Sequence, residues 1–117
     1  MQVQFNHEAR TTGVLFVKYT HFLTVRVEFN EEELFLINEL NLKTIPMFDG
    51  PSTNFVGRGK LMIFTVKDLI AGPITLHFSN LQAANNSEIT ITEQLQSLKD
   101  DLYAQHHDRH GSRTIEI

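Results

Sequence analysis

The chain has 117 residues, no cysteine and a net charge of −4. The length suits one domain, and the absence of thiols excludes disulfide scaffolds, thiolate metal sites and cysteine nucleophiles. The negative charge argues against nucleic-acid binding, which needs a basic surface. The longest apolar runs fall far short of the roughly 20 residues of a membrane helix, and no signal peptide opens the chain. We therefore expect one cytoplasmic domain over residues 1–117, with no membrane partner.

The N-terminal part of the chain is rich in β-forming side chains. Residues 1–11 are expected to be either flexible or an added edge strand, since Val3 and Phe5 alternate with polar residues. The segments 12–19 and 21–29 have a high density of β-branched and aromatic residues, which predicts two strands or one long bent strand.

A helix is predicted over residues 31–40. Asn30 can cap its first turn, and Glu33 can complete a capping box. Leu34 and Ile37 are expected on the face that packs against the sheet. The glutamates of the first turn interact favourably with the helix dipole, which explains them without a catalytic role.

The middle of the chain contains two further β-like segments. Residues 60–66 and 74–78 each have the composition of a strand, and we expect them to be antiparallel neighbours. The segment between them, 67–73, is either one helical turn that ends at Gly72 or the crest of a hairpin.

The last third of the chain predicts a second helix. It carries a stripe of apolar residues at helical spacing: Ile91, Leu95, Leu98 and Leu102. One helix can cover residues 81–105 with a weak point at 85–87, or Thr90 can cap a second, separate helix. Residues 113–117 alternate like a short strand. The whole pattern predicts an α+β fold with a mainly antiparallel sheet of about four to six strands and two helices packed on one face.

Four segments of the chain carry a resemblance to a known family. They are TVRVEFNEEE at 24–33, TVKDLIAG at 65–72, QLQSLKDDL at 94–102 and TIEI at 114–117. Together they resemble a small bacterial family, a domain of unknown function, and the likeness covers residues 22–117. The matching motifs are structural, so the resemblance implies a fold and a bacterial origin but no functional residue.

The loop 44–60, rich in proline and glycine, is the first candidate site. Arg58 and Lys60 stand beside two glycines and can hold an anionic ligand, although a plain glycine turn is the alternative. Phe48 and Phe55 would add an aromatic binding surface if both are exposed.

Histidines near the C-terminus are the second candidate site. His106 and His110 are four residues apart, so a continuing helix would place both on one face, where they could bind a metal. The alternative is that these polar residues suit the negative end of the helix dipole. No other cofactor is expected.

These features predict a non-enzymatic protein-interaction or regulatory module. Its partner would be another protein or a second copy, and a homodimer through a sheet edge or the long helix is one form. The alternative is a small-ligand or metal-binding protein that uses the histidines at 106–110 or the loop 44–60. Nucleic-acid binding through Arg58, Lys60 and Lys67 is a third, less favoured interpretation.

Overall fold

A long β-hairpin and a long helix dominate the structure. The computed structural model describes residues 1–48, 54–55 and 64–110, and only the backbone is described for residues 12, 54–55 and 105–110. The strands are β1 (Gln2–Thr12), β2 (Lys18–Glu28), β3 (Pro46–Met47), β4 (Asn54–Phe55), β5 (Phe64–Thr65) and β6 (Ile74–Phe78). The helices are α1 (Glu31–Glu39), α2 (Val66–Ala71) and α3 (Leu81–His110).

The main sheet is antiparallel and has the strand order β1-β2-β6-β4. β3 and β5 form a separate two-stranded sheet. The α+β class and the antiparallel pairing are confirmed. The predicted number of four to six strands is too high if only full-length strands of the main sheet are counted. Among the described strands of this sheet, β1, β2 and β6 have five residues or more, and β4 has two. The described residues contain three helices, one more than predicted.

The hairpin of β1 and β2 settles how the N-terminal part of the chain folds. β1 pairs with β2 along its whole length, from Gln2 opposite Glu28 to Thr12 opposite Lys18. Of the two expectations for residues 1–11, the added edge strand is therefore the one observed. The strand predicted over 12–19 is wrong, because residues 13–17 form the turn of this hairpin.

Helix α1 begins at the predicted residue, but the face that it packs against the core differs from the predicted face. Asn30 Oδ1 accepts a hydrogen bond from the Glu33 amide at 2.7 Å, and Glu33 Oε1 accepts one from the Asn30 amide at 2.9 Å. Leu36 and Ile37 are buried, whereas Leu34 is 38% exposed. The expected burial of Leu34 is wrong, because the capping carboxylate of Glu33 occupies an inward position in the first turn.

Helix α2 confirms the helical-turn alternative for the segment before β6. Thr65 caps its first turn, Asp68 completes a capping box, and Gly72 follows its last residue. The expected pairing of 60–66 with 74–78 is not observed for β5, which pairs with β3 instead. Helix α2 lies between β5 and β6, so these two strands do not form a hairpin, and residues 60–63 of the predicted strand lie outside the described residues.

Helix α3 is continuous, so the single-helix alternative over 81–105 is confirmed. Asn80 precedes it, and the Asn80 side chain accepts a hydrogen bond from the Ala83 amide at 2.7 Å. The expected weak point at 85–87 does not interrupt the helix. Ser87 is buried, and its hydroxyl donates to the Ala83 carbonyl at 2.7 Å, a bond compatible with a helix interior.

One core joins the sheet to the helices. Alternate residues of β2 and β6 point inward and are buried: Leu23, Val25, Val27, Ile74, Leu76 and Phe78. The buried side chains of α1, α2 and α3 belong to the same cluster. The opposite face of the sheet carries mainly polar residues and no buried side chain in the described part of the chain. No helix among the described residues is long and apolar enough to cross a membrane.

Candidate functional site

The turn of the β1–β2 hairpin requires glycine at its first position. Gly13 has φ +98°, a conformation that side-chain-bearing residues rarely adopt. A Cβ atom at this position would lie 2.2 Å from the Phe16 carbonyl oxygen, which is a steric clash. The glycine thus allows a tight turn between two long strands.

The four residues after Gly13 are apolar and strongly exposed. Val14 is 96% exposed, Leu15 89%, Phe16 82% and Val17 59%. Tyr19, just inside β2, is 60% exposed. We call residues 13–17 and Tyr19 the apolar tip. Burying one such large side chain stabilises a protein by about 1.5–3 kcal/mol, and the tip makes almost none of this contribution to its own fold.

The tip extends beyond the rest of the main sheet. β6 pairs with β2 only from Val25 opposite Ile74 to His21 opposite Phe78. From Thr20 to the turn, β2 has only β1 as a neighbour among the described strands. The tip is therefore the end of a two-stranded arm, and its side chains are presented on a convex surface.

The charge near the tip differs from that of the whole chain. Residues 9–27 contain no acid, although the chain has a net charge of −4. Lys18 follows the turn directly and makes no ion pair with any described residue. The tip thus combines apolar side chains with an unneutralised cation.

A stack of side chains on the polar face of the sheet crosses three strands at the base of the arm. Arg10 on β1 lies over the ring of Phe22 on β2, with the guanidinium carbon 4.5 Å from the ring centre. The rings of Phe22 and His77 on β6 meet edge to face, with centres 4.5 Å apart. Arg10 Nη2 also donates to Glu8 Oε1 at 2.9 Å. We call Glu8, Arg10, Phe22 and His77 the stack.

The charges of the stack affect its titratable groups. Partial burial, followed by the nearby positive charge of Arg10, lowers the pKa of His77. The hydrogen bond and the charge of Arg10 lower the pKa of Glu8, and Glu8 raises the pKa of Arg10 in return. Both causes favour the neutral form of His77, which suits a ring close to a guanidinium.

The opposite face of β1 is attached to the helices. His7 Nε2 lies 2.7 Å from Glu88 Oε1 on α3. The Met1 amino group forms an ion pair with Glu33 Oε1 at 2.9 Å, and both groups are almost fully buried. Contacts on both faces of β1 therefore hold the base of the arm while the tip stays free.

A shallow apolar groove lies on the helical side of the molecule, between β3, α2 and α3. Its volume is about 180 Å³. Its lining is made up of Ile45, Pro46, Met47, Val66, Gln94, Ser97, Leu98 and Asp101. Asp101 is exposed at this groove and makes no ion pair with any residue in the described ranges.

The structure places one predicted aromatic site residue in the core. Phe48 is 2% exposed, its ring lies near those of Phe64 and Phe78, and its amide donates to Gln94 Oε1 at 2.7 Å. Its side chain therefore has no surface to offer a ligand. Phe55 belongs to β4 and pairs with Leu76, but its side chain lies outside the described residues.

The other predicted site residues cannot be located in a site. Arg58 and Lys60 lie outside the described residues. His106 and His110 belong to the last turns of α3, where only the backbone is described. No group of three or more potential metal-binding side chains occurs among the described residues. Anion and metal binding by these residues remain predictions.

Comparison with known proteins identifies no relative: no protein-family model, curated protein or solved structure matches the chain. The resemblance to a bacterial family therefore remains a prediction. The apolar tip is the surface that sequence reasoning missed. The sequence signal for the tip is a glycine followed by four apolar residues. A strand has the same β-branched composition, so this signal alone does not distinguish a turn from a strand.

Proposed function

We propose that this protein is a non-enzymatic protein-interaction module and that the apolar tip is its binding element. The observation that carries the proposal is the exposure of four consecutive apolar side chains, Val14 to Val17. Contiguous exposed apolar surface commonly marks an interaction site. A convex tip of this kind fits a concave apolar surface on a protein.

The ordered pairing of the arm supports the proposal. The stack connects β1, β2 and β6 at its base, and the ladder of paired residues continues to Thr12 and Lys18. Binding by a pre-ordered element loses less conformational entropy than binding by a flexible loop. The arm thus presents its tip to a partner at little entropic cost.

The charge near the tip indicates the character of the partner surface. Lys18 adjoins the apolar residues, and the segment 9–27 has no acid to neutralise it. An apolar surface with an acidic rim would complement the tip, since complementary charges favour encounter and orient the bound molecules.

The experiment is site-specific photo-crosslinking. A photoreactive phenylalanine analogue replaces Phe16, and in a control protein it replaces Ile89, an apolar residue of α3 that is 58% exposed. Both labelled proteins are irradiated as purified samples and after addition to a lysate of the organism that naturally makes this protein. We expect a discrete protein adduct from position 16, competed by unlabelled protein and weakened when Leu15→Asp is added. The proposal would be overturned if positions 16 and 89 gave equal amounts of adduct and unlabelled protein did not reduce either amount.

A further inference from the structure

The apolar tip and the apolar groove are complementary in shape and character. The tip is a convex apolar group next to a cation, and the groove is a concave surface with apolar walls and one exposed carboxylate. We propose that the tip of one copy binds the groove of a second copy, so that two chains form a reciprocal dimer. This inference rests on the proposed function, since it names the partner of the same tip.

The tip cannot reach the groove of its own chain. His7 contacts Glu88, while Val3 and Gln96 line the same shallow pocket, so α3 runs away from the tip along β1. The centre of the turn lies about eight residues beyond His7, or roughly 26 Å along a strand. The groove residues of α3 centre about ten residues beyond Glu88 in the opposite direction, or roughly 15 Å along the helix. A separation of about 40 Å, the sum of these two estimates, leaves a second molecule as the source of the tip.

Charge complementarity argues for this pairing. Lys18 stands at the tip and Asp101 in the groove, and neither has an ion-pair partner among the residues that the structure describes. When the apolar tip of one copy enters the groove of another, these two groups come to the same contact. The pairing would satisfy both charges and orient the tip.

Symmetry doubles the contact. A two-fold axis brings each tip to the groove of the other chain, so that one dimer contains two identical tip–groove contacts. An aromatic side chain buries about 150–250 Å². Phe16 and Tyr19 from both tips, with their aliphatic neighbours and the groove walls, would therefore bury on the order of 1,000 Å², the lower limit of specific interfaces.

The test is charge exchange, read out by sedimentation equilibrium. We expect the wild-type protein to be a dimer at micromolar concentration, and Lys18→Glu and Asp101→Lys each to weaken dimerisation at least tenfold. An equimolar mixture of these two variants should recover dimers. In the mixed dimer, one contact pairs the two reversed charges and the other pairs the two original charges, so both contacts join opposite charges. The double variant should recover them as well. Asp100→Lys is the matched control, since Asp100 is the adjacent acid and bonds to Gln96 instead; it should change the affinity less than twofold.

The outcomes separate this inference from the proposed function. A monomeric wild-type protein whose position 16 still crosslinks to a different protein would overturn the dimer and leave the interaction module intact. The dimer proposal would also be overturned if Lys18→Glu left dimerisation unchanged, or if mixing the two single variants failed to restore dimers. A dimer that forms through the edge of β1 would give these results. Circular dichroism spectra that match the wild type show that each variant is folded.

Discussion

The guanidinium of Arg10 lies over the ring of Phe22, on the sheet face that no described helix covers. Glu8 holds the guanidinium from one side, and His77 meets the ring from the other strand. This contact is where the two-stranded arm joins the four-stranded part of the sheet. The stability of the arm should therefore depend on Phe22 more than its partial exposure suggests.

Replacing Phe22 tests this dependence. We expect Phe22→Ala to lower the free energy of unfolding by about 2 kcal/mol, since it removes a half-buried ring with two ring or cation neighbours. Phe35→Ala is the control, because Phe35 is 57% exposed on α1 and should cost less than about 0.5 kcal/mol. Urea unfolding of both variants makes the comparison, and equal losses would show that the stack contributes nothing.

The lowered pKa of His77 predicts a pH dependence of stability. The folded protein binds the His77 proton more weakly than the unfolded chain, where the ordinary value is near 6.5. The stabilising effect of neutral His77 is therefore complete above pH 6.5 and is lost as pH falls through the lowered pKa.

Urea unfolding between pH 8 and pH 5 measures this effect. We expect His77→Gln to lose less stability than the wild type over the acidic part of this range. Arg10→Gln should give an intermediate slope, because it removes the second of the two causes and leaves partial burial in place. Parallel curves for the wild type and His77→Gln would contradict the assignment.

The turn should not tolerate a side chain at Gly13. We expect Gly13→Ala to destabilise the protein by about 1–2 kcal/mol, because of the positive φ and the clash with the Phe16 carbonyl. Val14→Ala removes apolar atoms that are already in water and should change stability by less than about 0.5 kcal/mol. Thermal unfolding distinguishes the two, and a neutral Gly13→Ala would mean that the turn adopts another backbone conformation.

The buried carboxylate of Glu33 serves both the cap of α1 and the ion pair with the Met1 amino group. We expect Glu33→Ala to cost about 2–4 kcal/mol, since it removes a capping bond and leaves a buried amino group unpaired. Glu33→Gln retains an acceptor for the Asn30 amide and should cost less. Glu31→Ala, exposed in the same turn, should stay within about 0.5 kcal/mol. Denaturant titration ranks the three, and a Glu33→Ala loss as small as that of Glu31→Ala would rule out this role.

Local signals predicted much of the fold. The capping box at Asn30 and Glu33 starts α1 where the sequence indicates, and Gly72 ends α2. These features could be predicted because the interacting groups are close together in the chain. The continuity of α3 depended on burial: Ser87 is a poor helix former, but at its position it faces the core and donates back to Ala83.

The candidate site was less predictable for a physical reason. The composition of 14–17 is that of a buried strand, and only the pairing of Thr12 with Lys18 makes it a turn. Pairing depends on contacts across the sheet, which the local pattern does not encode. The same limit explains why Phe48, in a segment with loop composition, proves to be a core residue.

The register of the main sheet has a consequence for how the chain folds. The hairpin of β1 and β2 needs only the part of the chain that ends at Glu28, whereas the pairing of Val25 with Ile74 closes a much longer loop. Loop closure opposes such distant pairing and makes it slow relative to local pairing. During synthesis the arm can therefore form before its anchor on β6 exists, and docking of β6 becomes the step that completes the sheet.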